Sequence, residues 1–266
     1  MHMTSVYTFS AGEAPVLITL PHAGQKLPDG LSERMTETGR VLPDTDWYME
    51  ALYDFASGLG VGVLRANYSR YVVDLNRGAD DVALYPGRPS TGLVPHLTFS
   101  GQPIYKDGLA PDHQEVLERT NLFWTPYHQK IEQELARLKD KWGWAILWDG
   151  HSIASTIPRL FEGILPDLNF GTNAGAACAP VLAQALVVQA SVFPHYTHVL
   201  DGRFKGGYTT RHYGKPEENI HAVQLELAQT TYLESEVSPW PLSGKKVEQL
   251  KYVLKQFLRC ALAYRP

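Results

Sequence analysis

The sequence predicts a single-domain α/β protein of 266 residues, built on a mainly parallel sheet with helices on both faces. Three observations carry this expectation. Short apolar runs of buried-strand length alternate with longer segments of helical spacing. No repeat, low-complexity tract or linker divides residues 1–266, a length that can bury one large core. The composition, 44% hydrophobic and 20% charged, is that of a globular protein.

The elements follow in order. Val16-Leu17-Ile18-Thr19-Leu20 is the first strand and leads into Pro21-His22-Ala23-Gly24. A helix is expected over 44–57, because Asp44 or Thr45 can cap its start and Gly58 and Gly60 can stop it. Residues 61–64 and 71–75 read as strands. The stretch 78–111, rich in Gly, Pro and Ser, reads as a long irregular excursion, and loops of that length are commonly functional. Helical spacing with charged outer positions covers 111–141, and the strand 144–148 ends just before Asp149-Gly150-His151-Ser152. The longest apolar stretch, 179–193, is broken by Gln184 and Gln189 and is too short to span a bilayer, so 180–189 is expected as an internal helix. A loop at 206–214, a last central strand at 222–228 and an amphipathic C-terminal helix at 245–263 complete the pattern.

Charge and motifs narrow the chemistry. A net charge of -4 with no Lys/Arg-rich run gives no footprint for nucleic acid, and no segment marks a membrane partner. Residues 1–5 lack the basic and apolar regions of a secretory signal, so a cytoplasmic location is expected. The two cysteines, Cys178 and Cys260, form no C-x-x-C pair and read as reduced thiols, which leaves only N and O ligands for a metal. There is no phosphate loop, dinucleotide fingerprint or G-x-S-x-G elbow.

What remains is a constellation of histidines, acids and arginines. His22 and His151 each lie just past an apolar run, and ligands gather at the carboxyl ends of strands in open α/β sheets. A catalytic zinc takes three protein ligands and keeps a position for water. Asp46, near the start of the expected helix, is the preferred third ligand, with Asp44 and Glu50 as alternatives; an acid there also suits a helix N-terminus. Glu226 stands among Val223, Leu225 and Leu227, and a desolvated glutamate suits general base and then general acid work; its other reading is a strand-end ion pair. On a strand, Arg70, Asp74 and Asn76 face one way and Arg77 the other. Arg77 and Arg211 are candidate forked clamps for an anionic small-molecule substrate, with Asn76 beside them. His212 is a candidate donor to a substrate or transition-state oxygen, while His195, His198 and His221 read as structural.

Taken together, Pro21-His22-Ala23-Gly24, Thr45-Asp46-Trp47-Tyr48, residues 70–77, Asp149-Gly150-His151-Ser152, and 206–213 followed by 221–232 resemble the N-formylglutamate amidohydrolases, or deformylases. The resemblance runs in order along nearly the whole chain. It implies a mixed, largely parallel sheet of the zinc-exopeptidase (phosphorylase/hydrolase-like) type, with zinc on His22, Asp46 and His151 and Glu226 as acid and base. It also implies hydrolysis of N-formyl-L-glutamate to L-glutamate and formate, in histidine degradation, by zinc-activated water. Arg77 and Arg211 would then hold the two carboxylates, and Arg211 or His212 the oxyanion. The alternatives are a zinc amidohydrolase for another N-acyl amino acid or peptide, and a binding protein that retains the fold.

Overall fold

The computed structural model describes residues 5–83, 87 and 91–266. Its strands are β1 (Tyr7–Ser10), β2 (Val16–Leu20), β3 (Gly62–Ala66), β4 (Ala145–Ile153), β5 (Leu168–Gly171), β6 (His198–Leu200) and β7 (Ile220–Ala228), in the sheet order β1-β3-β2-β4-β7-β5-β6. The central four, β3, β2, β4 and β7, run parallel, whereas β1 and β5 pair antiparallel with β3 and β7. The sheet is therefore mixed, as the resemblance implied. The helices are α1 (Leu31–Arg34), α2 (Glu37–Arg40), α3 (Met49–Leu52), α4 (His113–Arg119), α5 (Thr125–Trp142), α6 (Pro180–Ser191), α7 (Tyr208–Tyr213) and α8 (Gly244–Ala263). Among the described residues no helix is long and apolar enough to cross a membrane.

Strand alternation divides the side chains between two faces. One face presents Val16, Ile18 and Leu20 from β2, Ile146 and Trp148 from β4, and Val223, Leu225 and Leu227 from β7, all fully buried beneath α6 and α8. The spacing of α8 matches that duty: Leu250, Val253, Leu254, Phe257, Leu258 and Ala261 repeat on one side of the helix and are buried. Gly150 belongs to this face, where a Cβ would come within 2.8 Å of Leu20. The other face is apolar only at its lower end, where Leu17, Ala145, Leu147 and Ala222 pack against Tyr127, Ile131, Leu135 and Leu138 of α5. Toward the carboxyl ends the same strands turn polar, with Thr19, Asp149, His151, Gln224 and Glu226, all buried. A polar cluster enclosed on that side of the sheet is where chemistry has to sit.

Several expected elements differ. The helix expected over 44–57 is reduced to α3 and a 3-10 turn at Ala56–Leu59. The Asp44 carboxylate caps nothing there; it accepts from the Tyr71 hydroxyl at 2.7 Å and the Phe99 N–H at 2.8 Å, and Tyr48, at φ 57°, breaks the helical run. Residues 71–75 form turns rather than a strand: Val72 N–H donates to Ser69 and Asp74 N–H to Leu93. The helix expected over 111–141 is present as α4 and α5, joined through a π-helical turn at Thr120–Trp124. The 206–214 loop contains α7, and α6 is not internal, since Val181 and Val188 are exposed. The irregular excursion at 78–111 is bounded as expected, although 84–86 and 88–90 lie outside the described residues. Cys178 and Cys260 are both free thiols.

Candidate metal centre and active site

The polar end of the sheet is assembled by register. Thr19 of β2 lies opposite Asp149 of β4, and His151 of β4 lies opposite Glu226 of β7. Paired positions on neighbouring strands share a face, so His151 and Glu226 stand side by side. His22 follows β2 directly, and its carbonyl accepts from the Asp46 N–H at 3.1 Å, which ties the loop bearing Asp46 to the end of that strand.

His22, Asp46 and His151 form a buried group whose candidate ligand atoms all lie within 4.8 Å of one another. His151 Nδ1 is 3.0 Å from Asp46 Oδ2 and His22 Nδ1 is 3.8 Å from the same oxygen. The far nitrogens turn outward to other carboxylates. His22 Nε2 is 2.7 Å from Asp74 Oδ1, and His151 Nε2 is 3.1 Å from Asp149 Oδ2, whose second oxygen accepts from Thr19. Two inward Nδ1 atoms, one carboxylate oxygen and an acid behind each imidazole are a donor set and backing of the kind that suits a catalytic zinc. The residues present fit that metal.

The electrostatics agree. Burial, with Arg70 acting in the same direction, pushes the His22 imidazole below its ordinary pKa. Burial alone would lower His151 too, but Asp149 and Asp46 outweigh it and hold the ring well above its usual range. Asp74 is held well below the carboxylate range because Arg70 and His22 overcome its burial. A buried spot that draws a proton onto a histidine between two carboxylates is a spot that demands positive charge, and a bound metal displaces such a proton.

A cavity of about 140 Å³ opens over this group. Glu226 lines it, and burial pushes its pKa up to about 8. Glu226 Oε2 accepts from Gln224 Nε2 at 3.0 Å, and Gln224 Oε1 accepts from the Gly207 N–H at 2.7 Å. Gly207 has to be glycine, since a Cβ there would meet the Asn76 amide at 2.3 Å. Asn76 Nδ2 lies 2.8 Å from His151 Nε2 and its Oδ1 accepts from the Thr209 N–H at 2.9 Å. Arg70, Arg77 and Arg203 also line the cavity, with Phe99, Leu160 and Phe204 as apolar wall.

The structure thus brings together His22, Asp46, His151, Glu226, Asn76 and Arg77. It does not bring Arg211 and His212 to them. Because 208–213 winds into α7, His212 is turned to the surface, stacked on Tyr208 at 4.8 Å beside a different hollow. Arg211 is half-buried outside the cavity lining, with its Nε donating to the Gly206 carbonyl at 2.8 Å. The expected opposite facing of Arg77 and Asn76 fails as well, since 71–75 is no strand and both reach the cavity. Sequence reasoning missed Arg203 and the backing role of Asp74 and Asp149, and placed Gln224 on the face of Glu226 without giving it a role. Gln224 had a signal, its place two residues before Glu226 on one strand face; Arg203 had only the neighbouring Gly202.

The protein is 49% identical over 262 residues to an N-formylglutamate deformylase of Pseudomonas aeruginosa, covering 98% of each chain. It is 50% identical to one of Pseudomonas putida, covering 98% of this chain and 97% of that one. A crystal structure of an N-formylglutamate amidohydrolase from Ralstonia eutropha superposes with a TM-score of 0.84 over 98% of both chains at 20% identity, which supports the fold. The N-formylglutamate amidohydrolase family profile matches residues 14–233, a span that holds every residue of the cavity described above, and the chain belongs to that family.

Proposed function

We propose that the protein hydrolyses N-formyl-L-glutamate to L-glutamate and formate with zinc held by His22, Asp46 and His151, acting in the cytoplasm in histidine degradation. The observation that carries this reading is the juxtaposition, across one pair of strands, of a cation-demanding His/Asp/His group and a desolvated glutamate in an arginine-lined cavity. Zinc, when bound, supplies Lewis acidity toward the formyl carbonyl and the attacking water.

The protein's own groups do the rest. Glu226, oriented by Gln224, takes a proton from the attacking water and delivers it to the leaving amine nitrogen. Arg70, whose buried Nε has no hydrogen-bond partner among the described residues, stands beside His22 as a cationic donor for the developing oxyanion. Arg77 and Arg203 hold the two substrate carboxylates. Arg77 Nε is buried without a hydrogen-bond partner among the described residues and lies 3.8 Å from a half-exposed Asp81, so a substrate carboxylate can take it in forked geometry.

The test is formate release from N-formyl-glutamate, set beside acid release from N-acetyl- and N-succinyl-glutamate, with and without a chelator. The expected result is preference for the formyl substrate, loss of turnover on chelation and recovery with zinc. Preference for another acyl group overturns the substrate, and activity indifferent to the chelator overturns the metal.

A further inference from the structure

The π-helical turn between α4 and α5 touches the site from outside. It presents Trp124 and, one turn on, His128, whose rings stack with centroids 3.9 Å apart. The Trp124 indole Nε1–H donates to the carbonyl of Arg77 at 2.8 Å. His128 Nε2 lies 2.9 Å from the carbonyl of Leu75, which can only accept, so Nε2 carries the proton and Nδ1 faces the Tyr213 hydroxyl at 2.9 Å. Burial takes the His128 pKa down to about 3, which keeps that neutral tautomer. The carbonyl between them, that of Asn76, accepts from the Tyr208 N–H at 3.2 Å.

Three successive carbonyls, at 75, 76 and 77, are thus each held, although the segment belongs to no helix or strand. The two outer donors come from one helical face, and a π turn is what shifts side chains around a helix in this way and recurs at functional sites. The side chains of the held segment, Asn76 and Arg77, are the ones aimed into the cavity.

We propose that Trp124, buttressed by His128, is a positioning residue that aims the Arg77 guanidinium at a substrate carboxylate. The proposal rests on the reading of Arg77 as a carboxylate ligand. Trp124 touches no substrate; it fixes the backbone from which Arg77 projects, so its loss acts on binding rather than on turnover.

The experiment is steady-state kinetics on N-formyl-glutamate with the zinc-loaded enzyme, together with calorimetric binding of L-glutamate. Arg77→Ala is expected to raise KM by roughly 10- to 100-fold. Trp124→Phe, which keeps a ring but removes the donor, should raise KM about tenfold, weaken glutamate binding equally and leave kcat within about twofold. The double variant should be no worse than Arg77→Ala alone, because Trp124 acts through Arg77. As a second route, His128→Leu should raise KM while His128→Gln, which retains an N–H for Leu75, stays close to the unaltered enzyme. If Arg77→Ala leaves KM unchanged, the reading of Arg77 fails. If Arg77→Ala raises KM but Trp124→Phe does not, or if the two penalties multiply, the positioning role is overturned.

Discussion

The two faces of the central sheet are made from the same strands and do opposite work. Under α6 and α8 the face is apolar until Ser152 near the end of β4, and its residues serve packing. Under α5 it is apolar for half its length and then carries five buried polar side chains in a row of neighbouring registers. A buried polar group is tolerated only when it is paired, and each member here is paired with another member or with the loops above. The difference teaches that α8 and its face stabilise a platform, while β2, β4 and β7 each deliver one or two reactive groups from the reverse side.

That contrast can be broken by substitution. The largest effect is expected for Glu226→Gln, which keeps shape and metal but removes the proton carrier; kcat should fall by about 10²- to 10⁴-fold with metal content unchanged by elemental analysis. Near-normal turnover would take Glu226 out of the chemistry. Phe257→Ala, on the opposite side, should lose about 3–5 kcal/mol in denaturant unfolding, while kcat per folded molecule stays the same. A large kcat change there would mean that the two faces are not separable. Asp149→Asn should leave the fold intact and weaken metal retention roughly 10- to 100-fold in competition with a chelator, as expected when a carboxylate behind a ligand histidine is lost. His212→Ala, on α7 and turned to the surface, should change kcat/KM by less than about twofold; a large loss would return it to the site.

The same contrast explains what was legible in the sequence. The face under α6 and α8 is written as runs, and β2 is found at its true bounds because Val16 to Leu20 is such a run. β4 is read short, ending at Trp148, because beyond that point its outward residues become Asp149 and His151 while parallel pairing with β7 continues to Ile153. β1, β5 and β6 are only three or four residues long and carry no run to recognise. His22, His151 and Glu226 were legible because a polar residue at the end of an apolar strand is conspicuous. Arg203 and the π turn were not: the first depends on where an irregular loop folds back, and the second on hydrogen bonding within a helix whose outer pattern is ordinary. Arg211 and His212 lie outside the cavity lining for a related reason, since glycines at both ends of 206–214 conceal a short helix.

The lengths of the strands carry one more consequence. β4 and β7, at the centre, have nine residues each, whereas the sheet ends in β1 with four and β6 with three. An unpaired strand edge is a template on which another chain can add itself, and the hazard grows with the length of flat edge on offer. Here the long, strongly apolar segments are enclosed on both sides by neighbours, and only short margins remain open, so the folded protein offers little foothold for edge-to-edge aggregation.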